Sequence, residues 1–117
     1  MPDQRSLDNE QYCYLTTTGR VTGRPHEIEI WYALESATLY MLSDSDRSDW
    51  IKNLRRTPEV TVRIAGETFY GRARVVEDGG EDELARRLLV QKYEGDPGSL
   101  SDWRRTALPV AVDLALP

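Results

Sequence analysis

Polar and apolar residues alternate along much of this chain, and the alternation predicts β-strands. In residues 24–34, Ile28 and Ile30 share one phase whereas Glu29 and Trp31 share the other, so one face of this strand is expected to be buried. Runs rich in β-branched and aromatic residues give the other strands. The predicted strands are residues 11–18, 24–34, 38–43, 59–65, 68–77 and 108–114.

Two segments carry helical signals. Ser48 is a suitable N-cap, Asp49 places a carboxylate in the first turn, and this helix is expected to end before Pro58. A second helix is predicted over residues 81–93, after an acidic first turn. The apolar positions at helical spacing are Trp50, Ile51 and Leu54 in the first helix and Leu84, Leu88 and Val90 in the second.

The order of these elements indicates the fold. Short turns join the strands, so neighbours are expected to be antiparallel, with the first three in a meander and a hairpin turn at Gly66–Glu67. This order predicts a mainly β fold, a closed or nearly closed small barrel with helical flanks. A chain of 117 residues suits one domain. We place it at residues 11–117, after a polar tail or short helix at residues 1–10.

The composition of the chain limits its cellular location and the partners that it can bind. The net charge of −5, from 15 basic and 20 acidic residues, argues against a general nucleic-acid binder. The chain has no apolar run long enough for a membrane helix and no secretory signal at its N-terminus. Cys13 has no partner for an internal disulfide and is expected to be a buried, inert thiol. A cytoplasmic protein is therefore expected.

The most informative stretch is the turn between the first two predicted strands. Gly19 and Gly23 bound this turn, and Arg20 and Arg24 add guanidinium groups to the threonine hydroxyls around them. Backbone N–H groups and arginine side chains can converge on an anion such as a phosphate. The same pattern also fits an ordinary surface hairpin with solvated arginines.

Few residues are available for acid–base or nucleophilic catalysis. The chain has one histidine and one cysteine, and it lacks a cluster with metal-ligand spacing. A cofactor could supply the reactive atom, with the protein providing binding and orientation. The turn, the strand end at 42–44 and the start of the first helix suit this role. Strand-end amides would hold a flat ring, and Arg20, Arg24 and Arg47 would approach its phosphate.

Three motifs follow one another along the chain. They are LTTTGRVTGRP at residues 15–25, WIKNLRRTPEVTV at residues 50–62 and WRRTALPV at residues 103–110. Together they resemble the signatures of the deazaflavin-dependent nitroreductase and quinone reductase family. The three motifs occur in order and span most of the chain, so they are more specific together than any one alone.

That resemblance implies a six-stranded antiparallel split β-barrel of the FMN-binding type. It implies that reduced coenzyme F420 donates a hydride to quinones, nitroaromatics or activated alkenes. It also makes Tyr93 the nearest match to a tyrosine that contacts the substrate, and Tyr93 or water would supply the proton. The residues implied in cofactor binding are Arg20, Thr22, Arg24, His26, Ile28, Glu29, Ile30, Trp31, Leu42, Ser43, Asp44, Arg47, Trp50 and Asn53.

Two positions depart from the family pattern. Val21 and Asp44 stand where members commonly carry basic residues that meet the phosphate and the acidic tail of the coenzyme. Loss of one such contact removes about 1–3 kcal/mol of charged hydrogen bonding, which Arg20, Arg24 or Arg47 would have to replace. The alternatives are an FMN-dependent oxidoreductase, or a non-enzymatic flavin or haem carrier on the same fold. A homodimer is also expected, because small split barrels often share their site across an interface.

Several of these side chains have a second, purely structural interpretation. Trp50 could anchor its helix in the core, and Trp31 could pack on the barrel flank or at a dimer contact. His26 could be a turn residue, and Tyr93 could be a packing residue at a helix end. Asn53 could be a simple cap, or it could hold the helix against the turn.

Overall fold

The structure is a computed structural model that describes residues 7–43, 47–93 and 108–115. Its strands and helices follow the predicted order, with one more strand than expected. The strands are β1 (Cys13–Thr18), β2 (Pro25–Ile30), β3 (Ala33–Glu35), β4 (Thr38–Ser43), β5 (Glu59–Ile64), β6 (Glu67–Val75) and β7 (Leu108–Leu114), and the helices are α1 (Asp49–Arg56) and α2 (Gly79–Lys92).

All seven strands form one antiparallel sheet in the order β2-β1-β5-β6-β7-β4-β3. The two edge strands, β2 and β3, are consecutive in the chain and are separated only by Trp31 and Tyr32. Residues three apart lie at most about 11 Å apart. The two edges of the sheet must therefore approach each other, and the sheet curls into a split barrel. The predicted mainly β split-barrel class is confirmed, with seven strands instead of six.

The extra strand arises because the predicted strand 24–34 is interrupted. The backbone N–H of Tyr32 donates to the hydroxyl of Tyr93 at 3.0 Å and so cannot extend the ladder of β2. The chain bends there, and β3 pairs with β4 at the opposite edge. The predicted meander of the first three strands is therefore wrong, since β4 pairs with β3 and β7 and not with β2.

The barrel has an interior core and a second core under α2. Strand β4 contributes to both, because Leu39 and Met41 point into the barrel while Tyr40 and Leu42 pack in the cluster with α2. This explains why β4 is apolar on both faces. In α2 the fully buried residues are Ala85 and Leu89, whereas the predicted stripe residues Leu84, Leu88 and Val90 are only partly buried.

Residues 7–8, the first that the structure describes, form a short helical turn that packs on the barrel. Leu7 is 4% exposed, and its carbonyl accepts a hydrogen bond from the hydroxyl of Tyr32. Asp8 accepts from the backbone N–H of Leu34 at 2.9 Å and lies 3.4 Å from the ammonium of Lys92. Residues 7–8 are thus tied to the domain; the boundary predicted after residue 10 stays a prediction.

Helix α2 is attached to the sheet by a charged network. Asp78 caps the helix by accepting from the N–H of Glu81 at 2.9 Å, so α2 begins at Gly79, two residues before the predicted start. Arg74 of β6 binds both oxygens of Glu81 at 2.6 and 2.8 Å, and its Nε donates to Asp113 at 2.8 Å. None of the helices in the described ranges is long and apolar enough to cross a membrane.

Candidate functional site

The glycine-bounded turn between β1 and β2 has a defined backbone geometry. Its ends are joined by a hydrogen bond from the N–H of Gly19 to the carbonyl of Arg24 at 2.8 Å. Within it, the N–H of Gly23 donates to the carbonyl of Gly19 at 2.9 Å. Gly23 has φ +73°, a left-handed conformation that favours glycine. The turn therefore closes on itself and leaves Val21 and Thr22 exposed.

Arg20 is fixed between the turn and helix α1. Its backbone N–H and its Nη1 both donate to Oδ1 of Asn53, at 3.1 and 2.9 Å. Its Nη2 donates to Oδ1 of Asp49 at 3.2 Å. The side chain of Arg20 is 32% exposed and that of Asp49 is 86% exposed. The guanidinium thus has one neutral, inner partner and one charged, outer partner.

Asn53 connects three elements. Its side chain is buried at 3% exposure, and besides accepting from Arg20 it donates through Nδ2 to Oγ1 of Thr17 at 3.3 Å. Thr17 lies on β1 and is 1% exposed. One amide therefore ties α1 to β1 and to the turn, which is the second of the two roles expected for Asn53.

The turn, the start of β2 and α1 enclose a cleft with a volume of about 440 Å³. Clefts that bind small molecules commonly measure about 300–1,000 Å³. The wall combines apolar side chains with the charged groups of the turn and helix. Its residues are Gly19, Arg20, Val21, Thr22, His26, Glu27, Ile28, Asp49, Trp50 and Asn53.

Gly19 allows the imidazole of His26 to lie against the turn. A Cβ at this position would stand 2.6 Å from Nε2 of His26 and 3.1 Å from the carbonyl oxygen of Arg24. Only glycine leaves this space free. The close approach places His26 at the wall of the cleft, although its side chain remains exposed.

Carboxylates outnumber cationic side chains on the described cleft wall. Arg20 is the one arginine or lysine among its described lining residues, and Asp49 and Glu27 contribute two carboxylates. Oε2 of Glu27 also lies 3.5 Å from Nη2 of Arg63. Within the described ranges, the backbone N–H groups of Val21 and Thr22 donate to no protein acceptor. The unused donors therefore lie on the turn.

The comparisons with known proteins identify the family. The family model for F420H(2)-dependent quinone reductase matches residues 4–115. The chain belongs to this family. No curated protein matches the sequence.

Solved structures share the fold at low identity. A conserved hypothetical protein from Mycobacterium tuberculosis has a TM-score of 0.81 and 20% identity, with 99% of this chain and 82% of that chain covered. An F420-H2 dependent reductase has a TM-score of 0.71 and 20% identity over 88% of this chain and 94% of that chain. An FAD-binding protein from Mesorhizobium loti has a TM-score of 0.69 and 20% identity, with 96% of this chain and 86% of that chain covered.

Family membership makes the chain an F420H2-dependent reductase, an oxidoreductase. The donors in the cleft fit the anionic part of this cofactor. A guanidinium and unpaired turn amides are the groups that bind phosphate in proteins. Ile28 and Trp50 add apolar surface suited to a flat ring. Arg20 and the amides of Val21 and Thr22 would hold the phosphate.

The reductase brings together six of the residues predicted to bind the cofactor. Arg20, Thr22, His26, Ile28, Trp50 and Asn53 all line the cleft. Trp50 also packs against the barrel core, so both of its expected roles are compatible with its position. The cleft further includes Gly19, Val21, Glu27 and Asp49, which were not among the individual residues predicted to bind the cofactor.

Other predicted residues lie outside the cleft wall. Arg24 belongs to the exposed end of the turn, and the carboxylate of Glu29 accepts from the hydroxyl of Tyr14 at 2.8 Å. Ile30 packs against the barrel core, and Trp31 stacks on Tyr93 with ring centroids 4.2 Å apart. Trp31 thus packs on the barrel flank, the alternative considered from the sequence.

The strand end after β4 also lies outside the wall. Leu42 is buried in the cluster under α2. The hydroxyl of Ser43 lies 3.0 Å from that of Ser48, the predicted N-cap residue of α1. Arg47 precedes α1 and does not line the cleft. Asp44 lies outside the described residues, so its predicted role stays a prediction.

Tyr93 occupies a structural position. Its hydroxyl accepts from the N–H of Tyr32 at 3.0 Å, donates to the carbonyl of Gln11 at 2.8 Å and lies 3.1 Å from the carbonyl of Tyr32. It is 7% exposed and does not line the cleft. Burial raises the pKa of Tyr93, which makes its hydroxyl a weaker acid.

Cys13 is a buried thiol, as predicted from the sequence. Burial raises the pKa of Cys13 to about 12, so it is almost wholly protonated near neutral pH. A cysteine nucleophile requires the thiolate, and Cys13 does not supply it. The described residues contain no group of three histidine, cysteine, aspartate or glutamate side chains placed to hold a metal ion.

Three residues of the cleft, Val21, Glu27 and Asp49, were not among the individual residues predicted to bind the cofactor, because each has a weak signal of its own. Val21 was noted as a departure from the family, and it lines the cleft with 86% of its surface exposed. Asp49 carries a helix-start signal that explains it without any site. Glu27 lies in the polar phase of a strand, where a solvated carboxylate is ordinary.

Proposed function

We propose that this reductase transfers a hydride from reduced F420 to a quinone, with nitroaromatics and activated alkenes as alternative acceptors. The observation that carries the proposal is the cleft in which the glycine-bounded turn and α1 meet around Arg20. Two of the three motifs that resemble the family contribute its residues. When bound, reduced F420 supplies the hydride, and the acceptor takes up that hydride and a proton.

In this proposal the turn binds the phosphate. The guanidinium of Arg20 is held at its inner edge by Asn53 at 2.9 Å, so a ligand does not have to order the side chain first. Pre-ordered donors lower the entropic cost of binding. The N–H groups of Val21 and Thr22 would add two donors from a rigid backbone.

Ile28 and Trp50 would orient the ring for transfer. Their partly buried side chains pack against the barrel core, which limits their freedom to move. Holding two reactants in a reactive geometry accounts for much of the acceleration of a bimolecular step. Exclusion of water by this wall would protect the reduced ring.

Water is the proton donor that the geometry favours over Tyr93. All three polar contacts of the Tyr93 hydroxyl are to backbone groups. The hydroxyl would have to break them to reach a substrate. A Tyr93→Phe variant that binds F420 normally and keeps the wild-type rate would support water, whereas a rate loss without loss of stability would support Tyr93.

The proposal is tested by following the oxidation of F420H2 with a benzoquinone, a nitroaromatic and an activated alkene in parallel. We expect recovery of the absorbance of oxidised F420 with at least the quinone. Arg20→Gln should weaken F420 binding about tenfold, since a charged hydrogen bond contributes about 1.5 kcal/mol or more. The matched control is Arg72→Gln, which breaks an exposed pair with Glu59 away from the cleft.

FMN is kept as a second cofactor candidate for one reason. Val21 is neutral, and the described wall of the cleft has two carboxylates and one arginine. The cleft should therefore bind the anionic tail of F420 more weakly than the family pattern implies. Turnover with reduced FMN and none with F420H2 would favour the FMN-dependent enzyme. Tight binding of either cofactor without turnover would favour a carrier.

We also propose a homodimer located in the cytoplasm. One solved relative, with 22% identity and a TM-score of 0.73, is described as a domain-swapped dimer. The single unpaired Cys13 suits a reducing compartment. Sedimentation of the purified chain tests the dimer.

A further inference from the structure

Arg20 forms an ion pair with a residue of the same cleft. Oδ1 of Asp49 lies 3.2 Å from Nη2 of Arg20, and both residues line the space assigned above to the cofactor. An anion that approaches the outer side of this guanidinium meets a carboxylate already in place. The inner edge is taken by the neutral Asn53 and is buried.

We propose that Asp49 competes with the bound anion for Arg20 and so sets the affinity of the cleft for the phosphate of F420. This inference rests on the proposed function. The carboxylate of Asp49 uses the hydrogen-bond donor that a phosphate would use, because carboxylates and phosphates bind the guanidinium fork in the same way. The pair with Asp49 must open, or share its donor, each time the ligand binds.

The exposure of the two side chains makes this exchange feasible. Asp49 is 86% exposed and Arg20 is 32% exposed, and exposed ion pairs are weak. The Asn53 contact is buried and stays in place. Ligand binding therefore displaces Asp49 from the guanidinium while Asn53 continues to orient Arg20.

The direct test is a titration of F420 into Asp49→Asn at low ionic strength, followed by the change in F420 fluorescence. The asparagine keeps the size of the side chain and removes its charge. We expect the Kd to fall about three- to fivefold, and the gain to shrink in high salt because exposed charges are screened.

The matched control is Asp82→Asn. Asp82 also lies in the first turn of a helix and is paired with an arginine, Arg86, at 2.5 Å, but it does not line the cleft. Its variant should bind F420 with the wild-type Kd. A gain in Asp82→Asn equal to that in Asp49→Asn would reveal a general effect of net charge and would overturn the proposal.

Measuring the effect of Asp49→Asn in a protein that already carries Arg20→Gln separates competition for the guanidinium from direct repulsion between Asp49 and the ligand. In Arg20→Gln there is no guanidinium to compete for, so the gain from Asp49→Asn should fall below about twofold if the proposal holds. An undiminished gain in that background overturns it, as does an unchanged or higher Kd in Asp49→Asn alone. Absence of F420 binding by the wild type and by Asp49→Asn overturns the proposed function as well.

Discussion

Replacement of Asn53 by alanine is the most informative perturbation of the fold around the cleft. The change removes three hydrogen bonds: two accepted from Arg20 at 3.1 and 2.9 Å, and one donated to Thr17 at 3.3 Å. Thr17 is 1% exposed, so water cannot readily replace its lost partner. The backbone N–H and the Nη1 of Arg20 are only partly buried, so water can replace the partner that they lose.

The expected cost follows from this difference in burial. A buried polar group left without a partner costs about 1–3 kcal/mol, and each lost bond to a hydrated group costs about 0.5–1.5 kcal/mol. The three lost bonds together amount to about 2–6 kcal/mol. We expect Asn53→Ala to lower the free energy of unfolding by an amount in the lower half of this range, about 2–4 kcal/mol, because water can reach the two Arg20 groups. A domain with a stability of about 5–15 kcal/mol stays folded after such a loss, so binding to the variant can still be measured.

Urea unfolding followed by tryptophan fluorescence measures this cost. The control is Thr17→Val, which removes the hydroxyl without leaving a cavity. In the double variant Asn53→Ala/Thr17→Val the total cost should be smaller than the sum of the single costs by about 1 kcal/mol, because the two groups are direct partners. A cost below about 0.5 kcal/mol for Asn53→Ala, with an unchanged m value, would refute the assigned role of Asn53.

Three further predictions follow from the structure. Gly19→Ala should lower stability by about 1 kcal/mol because its Cβ would meet the His26 ring at 2.6 Å; thermal unfolding should show partial recovery in Gly19→Ala/His26→Ala, and no recovery would contradict the contact. Arg74 lowers the pKa of Glu81 from 4.5 to about 2. Since the folded pKa lies below the unfolded one, the stability from Glu81 is present above pH 4.5 and is lost as the pH falls toward 2. The difference in unfolding free energy between wild type and Glu81→Gln should therefore vanish over that range, and a difference that is constant with pH would argue against the pair. Cys13 should resist a thiol reagent at pH 8 in the folded protein and react upon unfolding, because its pKa is about 12 and it is buried; rapid labelling of the native protein would contradict its burial.

The alternation of apolar and polar residues predicted most of the strands of the fold. Together with runs of β-branched residues, apolar residues at helical spacing and the cap residue Ser48, it located six of the seven strands and both helices, because burial on one face leaves a period in the sequence. The break at Trp31–Tyr32 left no such trace. It depends on a hydrogen bond from Tyr32 to Tyr93, 61 residues away, and the alternation continues through it.

The site could be predicted where local sequence decides the backbone. Two glycines around Arg20 define a turn, and the motif at residues 50–53 brings α1 to it, so Arg20, Trp50 and Asn53 meet as expected. Leu42 was predicted to bind the cofactor but is buried under α2 instead. Strand β4 is buried on both faces, and the position of Leu42 at a strand end does not reveal this. The pairing of Arg20 with Asp49 depends on how α1 docks on the turn, and no local pattern encodes that contact.

The central claim is that the cleft between the turn and α1 holds the anionic end of F420. Titration of the isotope-labelled protein with F420, followed residue by residue through backbone amide chemical shifts, tests it most directly. We expect the largest shifts at residues 20–23 and 49–53, with the amides of Val21 and Thr22 moving downfield as they gain an acceptor. Shifts confined to the groove of α2 around Glu83 and Arg87, with an unchanged turn, would contradict the account.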